Sequence, residues 1–88
     1  MHTKADRVLK ALVWAAKAYE DGKDEEMRRL IVVATELADG DAIAFAEGVT
    51  RACDYASSGA DAVPADLGAV AQWAISEALE GGATWAAR

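Results

Sequence analysis

Eight consecutive residues, Leu30-Ile31-Val32-Val33-Ala34-Thr35-Glu36-Leu37, are the one place where bulky aliphatic side chains crowd together in a chain otherwise filled with alanine. Ile31, Val32 and Val33 are β-branched, so the run alone fits a buried strand as well as a helix. Its flanks decide. Asp24, Glu25 and Glu26 supply a cap and negative charge for a helix start, and Gly40 supplies a left-handed stop. At helical spacing Met27, Leu30, Ile31, Val33, Ala34, Leu37 and Ala38 share one arc, with Arg28, Arg29, Glu36 and Asp39 opposite. Only Val32 falls on the polar side. A helix is expected over about 25–38, with the rest of the chain packing around it.

Three more helices follow from the same reasoning. Thr3 can cap a first helix with Asp6 three residues on, and that helix runs over about 4–21 until Gly22 breaks it. Its inward arc is Ala5, Val8, Leu9, Leu12, Val13, Ala15, Ala16 and Tyr19, and its outer side carries Arg7, Lys10, Ala11, Trp14, Lys17 and Ala18. Asp39-Gly40-Asp41 is a tight connection, with Asp41 as the cap of a third helix over about 42–57. Ala42, Phe45, Ala46, Val49, Ala52, Cys53 and Ala56 form its apolar stripe, leaving Glu47, Gly48, Arg51, Asp54 and Tyr55 outside. Residues 57–63 are the longest irregular segment. Pro64 then suits the first turn of a fourth helix over about 64–80, which stops at Gly81-Gly82. Leu67, Val70, Ala71, Ala74, Ile75, Ala78 and Leu79 face inward there, and Asp66, Ala69, Trp73, Glu77 and Glu80 face outward. The expected fold is all-α: a small antiparallel four-helix bundle, up-and-down in the simplest case, forming a single domain over 1–88. Residues 81–88, with Trp85, form a tail able to fold back.

A quarter of the residues are alanine. Small side chains let helix axes approach closely but contribute little burial each, so the few Leu, Ile, Val and Phe residues must carry the core. With 88 residues the chain is near the lower limit for a self-sufficient core, and oligomerisation would help it. Cys53 is the lone cysteine, which excludes an internal disulfide and fits a reducing, cytoplasmic setting. No stretch is apolar enough for a signal peptide or membrane span, so a soluble protein without membrane association is expected.

The residues refuse most chemistries. The only histidine, His2, sits at the terminus, which leaves serine or cysteine without a positioned base. Asp21, Asp24, Glu25 and Glu26 lack the ligand alternation of a calcium loop, and no Cys/His cluster suits zinc. Gly81-Gly82 lacks the context of a phosphate loop. The expectation is therefore a non-enzymatic protein with no catalytic residue, no cofactor and no metal. The net charge of -6 disfavours direct nucleic-acid binding, and Arg51 is the single cation on the third helix, the one that a helix-turn-helix reading would send into a groove.

Two functional readings remain. Residues 1–29 hold seven Lys or Arg against six acids, whereas residues 30–88 hold Arg51 and Arg88 against nine. Trp14 stands among Arg7, Lys10 and Lys17, while Trp73 stands among Asp66, Glu77 and Glu80, and Trp and Arg are frequent binding hot spots. The first reading is a protein-protein interaction module, self-associating as a two-fold homodimer in which the Trp14 face of one copy meets the Trp73 face of the other. The alternative is an acidic inhibitor, a decoy whose Asp39, Asp41, Glu47, Asp54, Asp61, Asp66, Glu77 and Glu80 imitate nucleic-acid phosphates in a partner's basic groove.

Overall fold

The N-terminal helix is set by its cap. Asp6 N–H donates to Thr3 Oγ1 at 3.2 Å and Thr3 N–H donates to Asp6 Oδ2 at 3.1 Å, a reciprocal pair that satisfies two of the otherwise orphaned amides. From this start α1 spans Lys4–Glu20. It ends in a Schellman arrangement: Gly22 N–H bonds Tyr19 C=O at 3.1 Å, Lys23 N–H bonds Ala18 C=O at 2.9 Å, and Gly22 takes φ +76°. These bonds come from a computed structural model that describes residues 3–59, 63, 64 and 66–80, with Glu80 described by its backbone alone. His2, Asp61 and the tail 81–88 with Gly81, Gly82 and Trp85 lie outside the described residues.

The second helix, α2, spans Asp24–Leu37. Its cap differs from the expectation: Lys23 occupies the N-cap position without a side-chain hydrogen bond, and Asp24, Glu25 and Glu26 all lie in the first turn. There they act through charge on the helix dipole rather than as a cap. The stop uses two residues, since Asp39 as well as Gly40 adopts positive φ, at 51° and 78°. Asp41 then caps α3, Ala42–Ala56, accepting from Ala44 N–H at 3.0 Å. The last helix, α4, spans Leu67–Glu80 and so begins three residues after Pro64, whose carbonyl accepts from Leu67 N–H at 3.2 Å.

The chain is thus an all-α bundle of four helices among the described residues, and its centre is α1 rather than α2. α2 packs along one flank of α1 and α3 along another, while α4 bridges α2 and α3 and also touches α1. In an up-and-down ring α2 and α3 would be lateral neighbours; here they barely meet. Three neighbours around α1 explain why Ala11 and Ala18, expected outside, are buried together with Ala5, Val8, Leu12, Ala15 and Ala16. α2 buries only Met27, Ile31 and Ala34, and keeps Leu30, Val33 and Leu37 half-buried. Val32 is exposed, as its place on the wheel required.

The stripe of α3 is rotated from the expected one. Ala44 and Gly48 are buried with Phe45, Val49 and Ala52, whereas Ala42 and Ala46 are exposed. Gly48 turns inward because α1 crosses it closely at Val8 and Ala5. On α4, Leu67, Val70, Ala71, Ala74 and Ala78 are buried, but Ile75 and Leu79 are exposed, so the inward arc is narrower than its apolar composition suggested. The buried set is entirely apolar among the described residues, and no buried side-chain nitrogen or oxygen lacks a partner there. Helix register therefore rests on shape rather than on polar pairing.

Candidate interaction surfaces

With three neighbours around it, α1 retains one open stripe. Arg7, Lys10, Trp14 and Lys17, spaced three, four and three residues apart, lie along it and are all exposed. Trp14 is 53% exposed, and Lys17 Nζ stands 5.1 Å from its ring centroid, within cation–π range. Beside the stripe Leu9, Val13 and Tyr55 floor a shallow depression between α1 and α3. Asp6 also borders it, but its carboxylate accepts from Arg51 Nη1 at 2.6 Å and from Thr3 N–H, so the open charge on this side is positive.

The second aromatic surface has a different construction. Trp73 meets the Tyr19 ring edge-on, with centroids 5.2 Å apart and planes at 80°, the quadrupole-favoured geometry for two aromatics. It remains 39% exposed. Its open side borders a groove of about 500 Å³ walled by α2 and α4, with Tyr19 of α1 also in its lining. Met27, Ile31 and Val32 give this groove apolar walls, and Asp24, Arg28 and Glu77 carry the charges at its rim. Among the described residues, one cation against two carboxylates leaves the rim net negative.

The two surfaces do not merge. Trp14 and Tyr19 are five residues apart on one helix, which turns their directions apart by roughly 140°. Trp14 borders the depression between α1 and α3, and Trp73 borders the groove between α2 and α4. Of the residues proposed from the sequence, Arg7, Lys10, Trp14 and Lys17 come together, as do Trp73 and Glu77. Asp66 is half-buried in the turn that opens α4, and the Glu80 side chain is outside the described residues. Sequence reasoning places Met27 and Ile31 in the core, where they are buried, but does not show that they also line the groove beside Trp73, that Tyr19 meets Trp73, or that Asp24 lies at the groove rim. The available signal was the position of Tyr19 at the last turn of α1, where a large ring overhangs the helix end.

Other features fall elsewhere. Ile43 is 74% exposed and sits with Ala42, Ala46, Glu47, Thr50 and Arg51 on the outer face of α3. Cys53 is a half-buried free thiol packed against the core. Asp39 and Asp54 are exposed, and Asp41 is committed to its cap. Among the described residues no three His, Cys, Asp or Glu side chains gather as metal ligands, and no helix is long and apolar enough to cross a membrane. Comparison with protein-family models, with curated proteins and with solved structures finds no match to this chain.

Proposed function

We propose that this chain is a non-enzymatic protein-protein interaction module that associates with copies of itself through its two aromatic surfaces. The observation that carries the reading is their charge: the Trp14 stripe is cationic, the Trp73 groove is net anionic, and both indoles keep a large open area. Opposite charge beside apolar surface is the combination that steers two proteins together and then holds them by desolvation. A core this rich in alanine also leaves stability to be gained by burying surface between copies.

The test is sedimentation of the wild type beside Trp14→Ala and Trp14→Ala/Trp73→Ala chains over a wide concentration range. The wild type is expected to exceed monomer mass, and the double variant to remain monomeric with unchanged helicity. A wild type that stays monomeric at millimolar concentration removes the reading.

A further inference from the structure

We infer that the association is head-to-tail: the Trp14 stripe of one copy seats in the Trp73 groove of the next, and the assembly extends past a dimer. The inference rests on the self-association reading above and adds its polarity. Three observations lead to it. The stripe presents Trp14 with Arg7, Lys10 and Lys17, which match the Asp24 and Glu77 carboxylates at the groove rim, whereas two stripes facing each other would oppose cation to cation. Arg28, the one cation at the rim among the described residues, leaves the balance negative. The groove has apolar walls of Met27, Ile31 and Val32 beside the Trp73 and Tyr19 rings, a suitable lining for an indole.

The third observation sets the symmetry. A two-fold dimer that makes the Trp14–Trp73 contact twice needs both surfaces on one side of the molecule. Here the stripe borders the seam of α1 with α3 and the groove the seam of α2 with α4, and because α2 and α3 barely meet these two seams lie on opposite sides of the bundle. A copy docked by its stripe therefore keeps its own groove open, and that groove accepts a further copy. Such a heterologous contact closes only as a ring of three or more, or continues as a filament.

The decisive experiment is sedimentation of three samples: wild type, Trp14→Ala, and Val32→Arg, the last adding bulk and positive charge to the exposed groove wall. Wild type is expected to pass through dimer to larger species as concentration rises. Each variant alone should associate roughly 30-fold more weakly, as for loss of a hot spot. An equimolar mixture of the two restores one intact stripe and one intact groove, and should stop at a 1:1 complex. Wild type that stops at dimer overturns the polarity while self-association stands; wild type that remains monomeric overturns both. Growth unaffected by either variant overturns the assignment of the surfaces. Should Val32→Arg lose helicity by circular dichroism, Glu77→Lys, at an exposed position of the groove rim, replaces it beside Trp14→Ala in the same mixing test, with the same outcomes.

Discussion

Gly48 of α3 faces Val8 of α1 at a distance that leaves no room for a side chain: a Cβ on residue 48 would stand 2.6 Å from Val8 Cγ1 and 2.7 Å from Val8 Cβ. The same methyl would lie 3.0 Å from the Ala5 carbonyl oxygen, which is backbone and cannot rotate away. Val8 is fully buried and cannot yield either. Gly48→Ala gains about 1 kcal/mol of helix propensity but separates two helices, at a cost of about 1–3 kcal/mol. A net loss of up to about 2 kcal/mol in urea unfolding is expected. Val8→Ala combined with Gly48→Ala should cost less than the sum of the two, because Val8→Ala removes the Cγ1 contact while the close approach to residue 8 Cβ and the Ala5 carbonyl remains.

The same substitution at Gly68 should have the opposite sign. Gly68 lies in α4, where a new Cβ would meet only the Ala56 methyl, at an ordinary 3.9 Å. Replacing it with alanine removes backbone entropy from the unfolded chain without strain, so Gly68→Ala should stabilise by about 0.5–1 kcal/mol. A fall in the urea midpoint would contradict the helix–helix spacing described here.

Truncations should rank by burial rather than by residue type. Leu12 is fully buried in α1 and Phe45 is 5% exposed in α3, so alanine at either should cost about 2–5 kcal/mol, a large share of the stability of a domain this size. Leu30, in the aliphatic run, is only half-buried, and Leu30→Ala should cost less than Leu12→Ala. Ile43→Ala should lie within about 0.5 kcal/mol of wild type because its side chain is already in water. Thermal unfolding of the four variants checks the order.

Caps and charges give a further contrast. Asp41→Ala removes the acceptor for Ala44 N–H at a half-buried helix start and should cost about 1 kcal/mol. The Asp6–Arg51 pair is short, but its side chains are 35% and 47% exposed, so Arg51→Ala should cost no more than about 0.5 kcal/mol and be insensitive in 1 M salt. Asp6→Ala should cost more than Arg51→Ala, since Asp6 also accepts from Thr3 N–H in the capping box. A double-mutant cycle separates the two contributions.

These comparisons show which parts of the fold are legible in one dimension. Thr3 with Asp6, Gly22, and Asp41 act within three or four residues of themselves, so sequence alone locates them. Phe45, Val49, Leu67 and Val70 declare an inward face by their bulk. Alanine and glycine declare nothing: Ala11, Ala18, Ala44 and Gly48 are buried only because a neighbouring helix happens to lie there, and Ala42 and Ala46 are exposed because none does. The prominence of residues 30–37 misdirected the choice of central helix for the same reason, since bulk marks what can be buried and not how many neighbours will bury it. The Trp14 stripe was readable because its residues share one helix. The Trp73 groove was not, because Tyr19, Met27 and Ile31 reach it from two other helices.

α2 and α3 owe their relative positions to α1, having almost no surface in common. Remove residues 4–20 and their apolar stripes would face a gap, with only α4 to span it. No smaller piece of the chain can then serve as a folding intermediate of native shape unless it contains the N-terminal helix. The helix over 4–20 is the keystone of the whole, and cooperativity in this molecule has a single address.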